Sequence, residues 1–453
     1  MNLLLSIDWS SVGVKAAQFI LSFSILIVLH EFGHFITARW FGCRVEKFYL
    51  FFNPWFSLWK KKKGETEYGL GWIPLGGYVK ISGMIDESMD KEQLKQPVQP
   101  YEFRSKPAWQ RLIIMLGGII VNVILAIVIF IMITWVWGDK YVPVANLKYG
   151  IYADSLGRSI GLQDGDNIIA VQGKTVEKAG TVGSEIVLNE ATTITVKRGD
   201  QQLEIKVPET LISKLNSNRM GGFSYIRYPM IVDSLLPKIK IVSGDLKKGD
   251  RVIGFNHQPI EYNTDLTNKL KGYEDIKDTN VTYTLLRDEK DTVEAVVHVD
   301  AKGAKYIGFR NPEKIFGTKT ISYSLLQSVP VGFNKCWSTL GRYMTGLRQL
   351  FTGKAKASES VGSVLSIGGI YPSEWDWQTF WSLTAIFSII LAFMNLLPIP
   401  GLDGGHALFT VVEMITGRKP SDKFLEYAQI VGFVLLMGLM AYALGLDIWR
   451  LFK

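Results

Sequence analysis

Apolar residues gather in four runs along this chain, each about as long as the roughly 20 largely apolar residues that a helix needs to cross a bilayer. The runs cover about residues 16–38, 109–137, 379–397 and 424–444, and they predict spanning helices over 11–38, 109–137 and 424–446, with 377–406 holding a further spanning helix and the polar motif at its end. Residues 39–108 form a first polar loop. Between the second and third runs lie roughly 240 residues of ordinary mixed composition, so the pattern predicts a membrane protein with a large hydrophilic insert. The insert contains a repeat. Leu162-Gln-Asp-Gly-Asp-Asn-Ile-Ile matches Leu246-Lys-Lys-Gly-Asp-Arg-Val-Ile, and the match continues to Val176 and Ile260. In each copy a Gly-Asp turn precedes a short β-rich run, and alternating strands follow. Two copies are too few for a solenoid, so two sibling domains are expected, over 138–226 and 227–311. Within 312–376, apolar residues recur every three or four positions from Leu325 to Leu350. This predicts an amphipathic helix interrupted at Pro330, lying on the membrane surface or against the insert.

Charge adds an orientation. The net charge is +8, and much of the excess lies between the first two spans, at Arg39, Arg44, Lys47 and Lys60 to Lys63. Basic residues near span ends mark the cytoplasmic side, and Arg418, Lys419 and Lys423 agree, while Arg450 and Lys453 oppose them. This distribution excludes nucleic acid as the expected partner and puts the N-terminus and the insert outside. The N-terminus lacks a basic leader and a cleavage site, so the first span is expected to be retained. The two cysteines, Cys43 and Cys336, then fall on opposite sides of the membrane and form no disulfide framework.

Chemistry enters with His30-Glu31-Phe32-Gly33-His34 inside the first span. Positions i and i+4 share a helix face, so both imidazoles can meet one zinc ion, with Glu31 near enough to act as general base on a metal-activated water. Ionisable residues inside an apolar helix are costly and are functional by default. A catalytic zinc takes a third protein ligand. The topology brings Asn395-Leu-Leu-Pro398-Ile-Pro400-Gly-Leu-Asp403-Gly-Gly-His406 to the same side and depth as the histidines. Asp403 is the expected ligand, with His406 a rival placed by its neighbouring glycines on an irregular turn. The prolines end the helix there, and irregular backbone at membrane depth is tolerated around a wet cavity.

The pairing of His-Glu-x-x-His with Asn-x-x-Pro-x-Pro-x-Leu-Asp-Gly resembles the site-2 protease family. The order of span, loop, span, two PDZ-like domains and two further spans resembles its bacterial regulators of σE-type envelope stress, over nearly the whole chain. "Leu-x-x-Gly-Asp-x-Ile-Ile" itself resembles permuted PDZ domains, which can bind peptides by strand addition. The implied fold is a polytopic α-helical membrane protein with four transmembrane helices, a membrane-associated β loop and two tandem PDZ-like α+β domains.

The resemblance implies zinc held by His30, His34 and Asp403, catalysis by Glu31, and substrate binding by Asn395, Asn122, Gly69, Gly71, Pro398 and Pro400. Asn122 belongs to Gly118-Ile-Ile-Val-Asn122, where Ile119 replaces a more usual proline, and an interhelical hydrogen bond is its alternative role. Gly69 to Lys80 resembles the family's β loop, whose edge can hold an unwound substrate. Ser360-Val-Gly-Ser363 replaces the more usual Ser-Gly-Pro-Ile. Implied substrates are single-span membrane proteins in the lipid bilayer: an anti-sigma factor after a first outside cut, and signal-peptide remnants. The implied place is the bacterial inner membrane. A transporter and a PDZ scaffold with a vestigial metal site are the competing classes; no inverted repeat of the spans supports the first, and a complete catalytic set opposes the second.

Overall fold

The structure, a computed structural model, describes residues 9–84, 97–217, 223–235, 239–268, 276, 278–299, 306–353 and 362–451. The N-terminal stretch before Trp9, Ser360 and Val361, and Lys453 lie outside the described residues. The chain forms two compact units: the described parts of 139–321 and 345–353 make one, and those of 9–138, 322–344 and 362–451 make the other.

Four helices of the second unit are long and apolar enough to cross a membrane. They are α1 (Trp9–Trp40), α2 (Ala108–Trp137), α4 (Trp377–Leu396) and α6 (Asp422–Leu451), with α3 (Leu325–Phe351) and α5 (Asp403–Thr416) between them. At about 1.5 Å per residue even the 20-residue α4 reaches roughly 30 Å, the thickness of the hydrocarbon layer. Asp376 caps its start, with Oδ1 accepting the Gln378 N–H at 2.8 Å. Pro398 disfavours helix for the residue before it, and α4 stops at Leu396.

Apolar side chains cannot hold helices together against lipid tails, which are equally apolar; small residues and buried hydrogen bonds take that role. Ser22 of α1 meets Thr384 of α4 through hydroxyls 2.8 Å apart, and the Ser388 hydroxyl donates to the Asn122 carbonyl of α2 at 2.7 Å. On the far side of α2, Ile120, Ile124 and Val128 are about half exposed, one per turn, as a lipid-facing stripe requires.

Two local expectations are corrected. Pro330 does not interrupt α3, which runs continuously through it; the proline sits near the helix start, and the carbonyl it leaves without a partner belongs to Leu326, which is 83% exposed. Asp403 to His406 is not an irregular turn but the first turn of α5. A Cβ at Gly404 or Gly405 would strike the carbonyls of Leu396, Leu397 or Ile399, so the glycines let the new helix start tight against the end of the old one. An acidic first residue also suits a helix N-terminus.

The first polar loop folds into a sheet of β1 (Val45–Phe52), β2 (Trp59–Lys63), β3 (Thr66–Leu70) and β4 (Ile73–Ile81), in the order β2-β3-β1-β4. Its edge strand β4 packs on α1.

The other unit holds two sheet-rich cores. The first surrounds Ile168, Ile186, Ile194 and Val196, and the second Val252, Tyr283, Leu285 and Val297. The repeat explains a shared clamp. Asp166 takes both oxygens into the fork of Arg198 at 2.8 Å each, and Asp250 does the same with Arg287 at 2.9 and 2.8 Å. Each carboxylate also accepts the N–H three residues before it, from Gln163 and Lys247.

Burial alone would raise the Asp250 carboxyl, but the Arg287 fork and the Lys247 amide hold it net below its ordinary value. Its contribution to stability is therefore full above about pH 4, the ordinary carboxylate value, and is lost as pH falls through the depressed one. In Asp250→Asn, hydrogen-exchange protection of strands Thr279–Arg287 and Asp291–Val299 should be lower than in the wild-type chain at pH 7. The gap should narrow below about pH 4; a gap independent of pH would remove the carboxylate from the account.

Candidate active site

His30 and His34 lie one turn apart on α1, 9% and 7% exposed in the middle of a membrane unit. The start of α5 brings Asp403 to them. His30 Nε2 and His34 Nε2 are 3.4 Å apart, and each lies 3.2 Å from Asp403 Oδ2. A tetrahedral ion with donor bonds of about 2.0–2.1 Å has donor-to-donor edges of about 3.3–3.4 Å, so this triangle fits one face of a zinc tetrahedron. Among the described residues it is the one group of three such side chains close enough to share an ion.

Helix α2 supplies the backing. Gly33 of α1 meets Gly117 and Gly118, and a Cβ at Gly118 would lie 2.6 Å from His30 Cε1 and overlap His34 as well. Only glycine leaves room for two imidazoles there. The Ile114 carbonyl, one turn earlier, lies 2.8 Å from His34 Nδ1, which donates to it and so keeps Nε2 as the lone-pair nitrogen. One turn later, the Asn122 amide lies 3.2 Å from His30 Nδ1. Asn122 is wholly buried, with His30 of α1 on its side chain and Ser388 of α4 on its backbone carbonyl.

The triangle opens on a cavity of about 340 Å3, lined also by Glu31, by Gly77 to Val79 and Ile81 of β4, by Gly401 and Leu402, and by Gln429 of α6. The Val79 backbone N–H faces the Glu31 carboxylate. Since backbone groups alternate along a strand, Gly77 points its own N–H and C=O to the same edge, on which no strand pairs among the described residues. Asn395, at the end of α4, sets Nδ2 3.3 Å from His30 Nε2. His406 lines the cavity outside the donor triangle.

Other expected residues stand further back. Gly69, on β3 with β1 between it and β4, lies under the Tyr49 ring, and Gly71, in the connection from β3 to β4, lies against the Phe51 and Phe52 carbonyls. They shape the sheet, and β4 is the strand that meets the cavity. Pro398 and Pro400 shape the turn from which Gly401 and Leu402 face inward.

The sequence reading missed the Ile114 carbonyl, which carries no side-chain signal. It also missed the ion pair of Arg111 on α2 with Glu413 on α5, both largely buried. A charge in each of two apolar helices was the available signal.

Comparison with known proteins agrees with this geometry. The model of peptidase family M50 matches residues 18–439. Regulator of sigma-E protease RseP of Escherichia coli is 28% identical over 460 residues, covering 96% of this chain and 98% of its own length. A protein of Neisseria meningitidis named a candidate zinc metalloprotease is 30% identical over 467 residues, with the same coverage. Another so named, from Xylella fastidiosa, is 26% identical over 446 residues, 95% of this chain and 97% of its own. The family match takes in both histidines, Asp403 and all but the ends of the outer spans, and on it the chain belongs to peptidase family M50, the site-2 proteases, and is a membrane-spanning zinc metalloprotease.

Proposed function

We propose that this protease cuts single-span membrane proteins within the bilayer, taking an anti-sigma factor after a first outside cut and the remnants of signal peptides. The observation that carries the reading is the donor triangle of His30, His34 and Asp403, set among spanning helices and open to a cavity walled by Glu31 and a free strand edge. His30, His34 and Asp403 would hold the zinc, which would supply Lewis-acid polarisation of the scissile carbonyl and a more acidic attacking water. Glu31 takes that water's proton and returns it to the leaving amine. Asn395 donates to the substrate backbone beside the metal.

A helical substrate hides its peptide bonds in its own hydrogen-bond ladder and must be extended before it can be cut. The free edge of β4 at Gly77 offers N–H and C=O groups that pair with an extended segment by strand addition. The lysines of β2 and the stacked, exposed Trp55, Phe56 and Trp72 at the sheet's end suit the cytoplasmic membrane interface. In this arrangement the two sheet-rich cores are tandem PDZ-like domains on the outer side of a bacterial inner membrane. They do no chemistry and exclude uncut substrates by bulk.

Purified protein in detergent should cleave a single-span peptide, lose that activity completely on chelation and regain it with zinc. Cleavage that survives removal of the metal would sink this reading.

A further inference from the structure

His30 presents a problem of hydrogen-bond direction. To bind a metal through Nε2, its ring must carry the proton on Nδ1, and that N–H needs an acceptor. The group facing Nδ1 at 3.2 Å is the Asn122 amide nitrogen, a donor that cannot accept it. The same amide's Oδ1 is buried and has no hydrogen-bond partner among the described residues. A half-turn about the last side-chain bond exchanges the two atoms, which are nearly equal in size and are told apart by the hydrogen bonds they make. The amide makes one bond to His30 in either setting. Metal binding decides between them, because two N–H groups pointed at each other repel.

We propose that Asn122 is a positioning residue, whose side-chain carbonyl accepts the His30 Nδ1–H and holds the ring in the tautomer that leaves Nε2 free for zinc. This rests on the assignment of His30, His34 and Asp403 as ligands. His34 already has the equivalent partner in the Ile114 carbonyl, so α2 serves both imidazoles, with one backbone and one side-chain oxygen. Gly118, lying between those two positions, is what allows α2 to come that near. Outer partners of this kind typically change metal affinity by about 10–100-fold.

The test compares Asn122→Leu, which has no acceptor, with Asn122→Asp, which can only accept. Zinc affinity is read by competition with a chelator, alongside the thermal stability of each metal-free protein. Leucine should weaken zinc binding by about 10–100-fold, and aspartate should hold it within a few-fold of the wild-type chain. Ser388→Ala, which removes a bond to the Asn122 backbone carbonyl, should lower stability and leave zinc affinity alone. Wild-type affinity in folded Asn122→Leu overturns the proposal. So does an aspartate variant as weak as the leucine one, or a Ser388→Ala variant that loses zinc equally.

If the leucine variant does not fold, 15N spectra of histidine-labelled, zinc-loaded wild-type protein decide instead: an unprotonated His30 Nδ1 overturns the proposal, and a protonated one hydrogen-bonded to oxygen supports it. His34→Ala and Asp403→Asn run in parallel. If they lose zinc while Asn122→Leu keeps it, the positioning role alone fails. If they keep it, the ligand assignment fails and takes the positioning role with it.

Discussion

Replacing Glu31 by glutamine should leave zinc content and fold unchanged and slow cleavage by about 100- to 10,000-fold, the range that general acid–base groups contribute. The side chains have the same shape, and the amide oxygen can still accept the Val79 N–H that now meets the carboxylate. All three donors of the triangle remain. What disappears is a group that can take a proton from water and give it to an amine, and nothing else lining the cavity is a carboxylate outside the triangle. Metal analysis and turnover of the same preparation check the two halves together. Normal turnover with full zinc would remove Glu31 from the chemistry.

Asp403→Asn is the second large effect, and it should differ in kind. An anionic donor is exchanged for a neutral one, so zinc affinity should fall along with activity. Partners one shell further out already change affinity by about 10–100-fold, and loss of a direct donor should exceed that. His406→Ala supplies the contrast. His406 lies three positions further along the same helix and lines the same cavity, but outside the donor triangle. Its alanine variant should retain most of the metal. The reverse order in metal analysis would make His406 the third ligand.

The spanning helices were legible from apolar runs alone, because lipid forces length and composition on a helix with little tolerance. The His30–His34 spacing was legible for a similar reason: one helical turn is local geometry. That Asp403 would meet them followed from counting spans and sides, and the structure brings the three donors within bonding range of one point. What stayed hidden depends on contacts between distant segments. Helix α5 could not be read from Asp-Gly-Gly-His, since glycines ordinarily disfavour helix; they are accepted because the carbonyls of Leu396, Leu397 and Ile399 leave no room for a side chain. Gly69 and Gly71 drew attention as backbone near substrate, but a glycine's reason shows only when its neighbour does, and that neighbour is the Tyr49 ring or a Phe52 carbonyl. The part of Asn122 likewise needed the ring it faces.

The turn that delivers Asp403 rests on α6. At Gly432 the helix backbone presses directly on Pro400, and a Cβ there would land inside the Pro400 carbonyl. The position of a metal donor is thus gauged by a residue 29 places downstream (432 against 403), in a span that carries no motif. Even a change as small as Gly432→Ala would push on the turn from behind, while His-Glu-x-x-His and the Asp403 signature stayed letter-perfect. Intact motifs certify the parts of this protease, whereas its working order is also written in the smallest residue of its last helix.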